Sequence, residues 1–161
     1  MDQEVCREHL TELLRDEAAL LVELEQLLSR EGQILEGSDI QEIERTTRAR
    51  QERMGALARL EEQRRSLCAV HGFASDRAGL EAVMAWCDPS GSLTESLREC
   101  AVRAVRCREL NDRNGVLVTA RLQRVESLLG ALTGRPTRAD TYGPRGYGAA
   151  ALRAGRMLGA A

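Results

Sequence analysis

The sequence predicts an all-α protein: an elongated antiparallel bundle of three main helices, a short extra helix and a flexible C-terminal tail. Three observations carry this expectation. Leucines recur every seven residues early in the chain, at Leu14, Leu21, Leu28 and Leu35, which is a helical seam sustained over several heptads. Helix-stopping and helix-capping residues cluster in three short links, "EGSDI", "VHGFASD" and "DPSGS". After Leu132 the composition turns to Gly, Pro and Arg, and no compact helical pattern survives.

The first helix takes its apolar face from the heptad leucines, with Leu10, Leu13, Leu24 and Leu27 filling the flanking positions. It should end near Gly37, where Ser38 or Asp39 can cap the next helix, and Gln41 follows Ser38 at the three-residue offset of a capping box. The second helix carries Ile40, Ile43, Thr47, Met54, Leu57, Leu60 and Leu67 on one stripe, its other faces being crowded with Arg, Glu and Gln. It should return antiparallel to the first. Gly72 offers a stop and Ser75 or Asp76 a fresh cap for a brief helix, "LEAVMAWC", whose Trp86 is expected to cover one end of the bundle. The last long helix should run from about Leu93 to about Leu132.

That helix contains an awkward stretch, "NDRNG", from Asn111 to Gly115. All of its residues except Arg113 are poorer helix formers, and together they cost roughly 2 kcal/mol against alanine. Steps of seven from Leu97 reach Ala104, Asn111, Val118, Val125 and Leu132; steps from Leu93 reach Cys100, Cys107, Asn114, Arg121 and Leu128. Both asparagines are therefore expected on the buried seam. There they would form a polar layer that sets register, because a misaligned partner leaves a buried amide unpaired. Gly115 is expected to give room for a close backbone approach. A ligand-binding asparagine pair is the competing reading.

Composition excludes several classes of function. The 161 residues suffice for one compact domain or one bundle, and with aromatics at 2% the core must be aliphatic. The 23 basic residues are all arginine and stand against 25 acidic ones, a net charge of -2 that argues against bulk attraction to nucleic acid or to a membrane surface. Without lysine there is no Schiff-base, Walker or general-base lysine. The start, "MDQEVCREHL", lacks the pattern of a secretory signal, and no apolar run approaches the roughly 20 residues that cross a bilayer. Five cysteines, Cys6, Cys68, Cys87, Cys100 and Cys107, form no CxxC pair and read as reduced thiols of a cytoplasmic protein.

No catalytic constellation emerges, and the expectation is a protein that is not an enzyme and uses no cofactor. His9 and His71 are the only histidines. His71 follows Cys68 at a spacing that could share a metal, but no second half-site accompanies it, so no metal is expected. Cys100 and Cys107 on the seam suit core packing better than nucleophilic attack. "YGPRGYG" has no strand before it and so fails as a phosphate loop. An arginine-glycine tail can bind RNA, but this one lacks the many repeats and interleaved aromatics of such tails, and nucleic acid is not an expected partner.

The organisation expected is thus a helical bundle over residues 1–132 and a flexible partner-binding tail over 133–161. The tail carries Arg135, Arg138, Arg145, Arg153 and Arg156 against the single Asp140. Its Tyr142 and Tyr147, the only tyrosines, are ready anchors, each offering large contact area for little rotamer entropy. Leu152, Met157 and Leu158 make a second apolar cluster, and a short helix from Ala149 to Leu158 would put Leu152 and Leu158 on one side.

Several of these pieces together resemble the FlgN family of flagellar export chaperones. "ELNDRNGVLVTARLQRVESLLGAL" is similar to that family's N-x-x-N-G signature in its last long helix, "LEEQRRSL" resembles its glutamine-arginine segment ending the second helix, and "TYGPRG" is similar to the tyrosine-glycine step after the last. The absence of lysine and the Gly/Ala-rich terminus depart from the pattern. The resemblance implies a cytoplasmic chaperone that binds hook-associated subunits, the hook-filament junction proteins FlgK and FlgL, and delivers them to the type III export apparatus. It implies that the Tyr142–Gly143 step touches the export gate or the client and that the terminal cluster takes the client's amphipathic helix. A structural coiled-coil adaptor that dimerises and bridges other proteins is the alternative, and a homodimer is compatible with either.

Overall fold

The computed structural model describes residues 2–134 apart from Ser38. Among the described residues there are four helices and no strand: α1 (Gln3–Glu36), α2 (Ile40–Val70), α3 (Arg77–Cys87) and α4 (Ser92–Thr133). The chain divides into two units, Met1–Arg121 and Leu122–Ala161, so the last turns of α4 belong to the second. The expected boundary after residue 132 lies inside that second unit. The expected mobility of the tail, and the helix from Ala149 to Leu158, lie outside the described residues.

Aspartates start the first three helices. Asp2 accepts from the Glu4 amide at 3.1 Å, Asp39 from the Glu42 amide at 3.0 Å and Asp76 from the Gly79 amide at 2.8 Å. Each thereby satisfies one of the orphan donors of a first turn. α2 ends where Gly72 turns to φ +80°, which lets the Phe73 amide reach back to the Cys68 carbonyl at 2.9 Å. At Gly79 a side chain is impossible without rearrangement, because a Cβ would fall 1.7 Å from the Ala74 carbonyl oxygen. The link from α3 to α4 is organised by Asp88. Its carboxylate accepts from Ser90 Oγ at 2.5 Å, Ser92 Oγ at 3.1 Å and the Leu93 amide at 2.7 Å, and so caps the helix that follows its own.

The core of the first unit is built on α1. Leu10, Leu14, Leu21, Leu24 and Leu28 are buried against Leu67 and Cys68 of α2, Leu80, Val83, Met84 and Cys87 of α3, and Leu93, Cys100 and Cys107 of α4. At about 1.5–3 kcal/mol per fully buried aliphatic side chain, this seam outweighs any surface ion pair in holding the helices together. Trp86 is half-buried, with its ring 6.0 Å from Phe73 and 5.2 Å from His71.

α2 keeps most of its expected stripe: Leu67 is buried and Ile43, Thr47, Leu57 and Leu60 are half-buried. Ile40 and Met54 depart from it, being 67% and 52% exposed. Beside the stripe, half-buried arginines reach across to α1, with Arg64 Nη1 3.2 Å from Glu17, Arg53 on Glu23 and Arg50 3.4 Å from Glu31. These pairs run in opposite directions along the two helices, so α2 is antiparallel to α1, as its sequence suggests.

α4 runs parallel to α1, as the third long helix of an up-down-up arrangement must. A polar ladder records the register. Cys100 Sγ lies 3.6 Å from the Leu14 carbonyl and Cys107 Sγ 3.6 Å from that of Leu21; Asn114 Nδ2 donates to the Leu28 carbonyl at 2.8 Å and Arg121 Nη1 to that of Leu35 at 3.4 Å. All four rungs have the same sequence offset, 86 residues. Arg121 also donates to the Gly37 carbonyl at 2.8 Å, which satisfies acceptors left over at the end of α1. In the second unit the last turns of α4 expose Leu122, Val125, Leu128, Leu129 and Leu132.

Candidate functional site

Polar side chains from all three long helices meet where "NDRNG" passes α1. Asn114 and Glu31 are both buried, with only 4% and 6% of their surface exposed. Asn114 Nδ2 donates both to the Leu28 carbonyl and, at 3.0 Å, to Glu31 Oε2. Glu31 Oε1 accepts from Thr47 Oγ1 at 3.4 Å and pairs with Arg50 Nε at 3.4 Å. Arg50 Nη1 in turn donates to Asn111 Oδ1 at 2.9 Å. The two asparagines of α4 are therefore ends of one chain that passes through α1 and α2. Arg50 Nε itself has no hydrogen-bond partner among the described residues.

Two expectations are corrected here. Asn111 is exposed, because it lies to the side of the line that faces α1 and is reached from α2 by Arg50. Gly115 is exposed and has nothing within 4 Å of where a Cβ would stand; the close approach belongs to Gly32 of α1, where a Cβ would meet Asn114 Oδ1 at 2.9 Å. Val118, Val125 and Leu132, expected on the seam, are likewise exposed at 42%, 47% and 83%. Sequence reasoning missed Glu31, Gly32 and Arg50. The signal was there in part: a glycine four residues after Leu28, inside a leucine-rich helix, costs about 1 kcal/mol against alanine and calls for a packing reason.

In the second unit Leu122, Val125, Leu129 and Leu132 follow one another at spacings of three, four and three residues and are all exposed. On an α-helix this alternation makes a single stripe, the pattern by which one helix receives another. Leu128 flanks it. The expected tail contacts, Tyr142, Gly143, Tyr147, Leu152, Met157 and Leu158, lie outside the described residues.

Elsewhere in the first unit a groove of about 450 Å³ is lined by Glu17, Arg64, Cys68, Leu80, Leu97 and Cys100. Burial pushes the Glu17 carboxyl above its ordinary range even though Arg64 pulls it down. All five cysteines are free and buried. Burial, reinforced by Cys87 and Cys68, pushes the Cys6 thiol up to about 12, and burial beside Glu17 and Glu99 pushes Cys100 up to about 11. Protonated at neutral pH, these thiols are poor nucleophiles and serve as small core residues. Among the described residues no three His, Cys, Asp or Glu side chains converge to hold a metal ion, and no helix is long and apolar enough to cross a membrane.

Neither a curated protein nor a solved structure matches the chain significantly. The family model described as FlgN protein does match, over residues 1–148, a span that contains the N-x-x-N-G signature, its polar network and the Tyr142–Gly143 step. The chain belongs to the FlgN family, which supports a role as a flagellar export chaperone.

Proposed function

We propose that this protein is a cytoplasmic chaperone for the hook-associated subunits of the flagellum, of the FlgK and FlgL type, and that it delivers them to the type III export apparatus by binding alone, without catalysis or cofactor. The observation that carries the reading is the exposed stripe on the last turns of α4, four aliphatic residues in three-four alternation. An assembly subunit held back from polymerisation must have its sticky terminal helix covered, and an amphipathic helix lays its apolar face into such a stripe. Family membership supplies the flagellar context. The tail segment with Tyr142 and Tyr147 would add contacts to the client or to the export gate, with ordering entropy keeping the complex reversible.

The same stripe also favours the second reading, a coiled-coil adaptor that pairs through α4 with a second copy of itself. Light scattering after gel filtration separates the two, using the full chain alone and mixed with a purified hook-filament junction subunit. A mixed complex formed by a chain that is monomeric alone supports the chaperone. A stable homodimer that ignores the subunit overturns it in favour of the adaptor.

A further inference from the structure

We propose that Asn114–Gly115 is a modification site gated by the fold: the closed bundle protects this pair from deamidation, and a chain whose α4 has opened is converted there and cannot close again. The chain has only two asparagines, and only Asn114 precedes a glycine. In such a pair the amide nitrogen of the glycine, unhindered by a Cβ, attacks the asparagine side chain. A bond forms between Gly115 N and Asn114 Cγ as the amide proton is lost to base. The Cγ–Nδ2 bond breaks, and Nδ2 leaves as ammonia after taking up a proton. One water then opens the cyclic imide at either carbonyl, leaving aspartate or isoaspartate at position 114. No oxidant or reductant takes part.

The fold blocks each requirement of this reaction. Inside α4 the Gly115 amide is committed to the carbonyl four residues back, and helical dihedrals turn it away from Cγ. Asn114 is 4% exposed, its Nδ2 is held by Leu28 and Glu31, and its Oδ1 is seated against Gly32. Attack therefore requires α4 to leave α1 and unwind around residue 114. Gly115 makes that unwinding easier, since it is an exposed glycine with nothing within 4 Å of where a Cβ would stand.

The products do not fit the closed state. An aspartate at 114 has no donor for the Leu28 carbonyl and sets a second negative charge beside the buried Glu31. An isoaspartate lengthens the main chain by a methylene and breaks the helical register that the rungs at Cys107 and Arg121 require.

The full chain is incubated in mildly alkaline buffer, native and in urea, and conversion at Asn114 is followed by peptide mass mapping and by enzymatic methylation of isoaspartate. Native conversion should be slower than conversion in urea by on the order of a hundredfold, set by the fraction of time the region is open. Gly32→Ala, which leaves the Asn-Gly pair intact but crowds its seat, should speed native conversion several-fold. Glu31→Gln, which weakens the hold on Nδ2 without crowding, should do the same if Gly32→Ala fails to fold. Purified converted chain should label faster than the parent at Cys107, the neighbouring rung, with a thiol reagent. Equal rates in native and urea conditions, no acceleration in the folded variant, or a Cys107 as protected after conversion as before would each overturn the proposal.

Discussion

Gly32 on α1 leaves the space in which Asn114 of α4 sits: a Cβ at residue 32 would lie 2.9 Å from Asn114 Oδ1 and 3.8 Å from its Cγ. The glycine inside one helix and the asparagine inside the other are each unfavourable for their own helix, and each has its reason in the other. Gly115, adjacent in sequence, has no such neighbour.

The two glycines should therefore respond in opposite directions to alanine. Gly32→Ala gains about 1 kcal/mol of helix propensity but meets an overpacking cost of about 1–3 kcal/mol, for a net loss in urea denaturation. Asn114→Ala should cost less in the Gly32→Ala background than in the parent, a coupling of about 1 kcal/mol. Gly115→Ala should stabilise by about 0.5–1 kcal/mol. Stabilisation of equal size at both positions would show that the approach of α4 to α1 is not tight.

Much of this arrangement was legible in the sequence because it obeys one period. The heptad leucines of α1 and the heptad from Leu93 in α4 face each other rung for rung, and the helix links contain their caps, with Asp39 capping α2 and Asp76 capping α3. α2 was less legible. Its apolar period places Leu57 and Leu67 against the core, but Arg50, Arg53 and Arg64 also reach acidic partners on α1, and such an arginine reads in the sequence like one in solvent. Asn111 was not legible for a related reason, since its partner Arg50 is distant in sequence and long enough to reach a position off the seam.

A seam position judged by period alone would favour leucine, but the contacts reverse that sign at Asn114. Asn114→Leu removes a donor from Glu31, which is 6% exposed, and drives a branched side chain toward Gly32. A loss of about 2–4 kcal/mol is expected, because a buried charge loses a partner. Thermal and urea unfolding check this, and a variant as stable as the parent would mean that Arg50 and Thr47 suffice for Glu31.

Asp88 should make the link between α3 and α4 acid-sensitive. The Ser90 hydroxyl, then the Leu93 amide and the Ser92 hydroxyl, hold its carboxyl below the ordinary carboxylate range. A folded-state value below the unfolded one stabilises the protein above the unfolded value, about 3.9, and this contribution is lost as pH falls through the folded value. Asp88→Ala should lower stability at neutral pH and flatten its acid dependence below about pH 4. Urea midpoints for the two proteins across that range should converge at the acid end; a constant gap would assign the effect to packing.

Glu17 should act with the opposite sign. Burial raises its carboxyl above the ordinary range, and the attraction of Arg64 only partly offsets this. Its contribution is present below the unfolded value, about 4.3, and is lost as pH rises through the folded one. Glu17→Gln should match the parent in acid and equal or exceed it at neutral pH, because Arg64 keeps Glu61 as a partner. Urea midpoints at several pH values test this, and a variant weaker than the parent only at neutral pH would show that the Arg64 pair outweighs the desolvation.

The stripe on α4 gives the sharpest test of the proposed binding role, because it separates folding from function. Leu122 and Leu129 are 58% and 54% exposed, so replacing both by glutamate removes little that is buried. Exposed substitutions of this kind usually change stability by less than about 0.5 kcal/mol each. Against a client's amphipathic helix the same change places two charges where apolar contact is needed, and affinity for a hook-associated subunit should fall by at least about tenfold, the effect of losing about 1.4 kcal/mol. Tyr142→Ala, in the tail, should weaken binding to the subunit or to the export-gate domain without touching the stripe. Titration calorimetry with both partners, beside circular dichroism to confirm the helices, reads out the division. If the double glutamate variant bound the subunit as tightly as the parent while Tyr142→Ala, or Leu152→Ala with Leu158→Ala, did not, the client would be held by the tail, and the stripe would be left to pair with a second copy of α4.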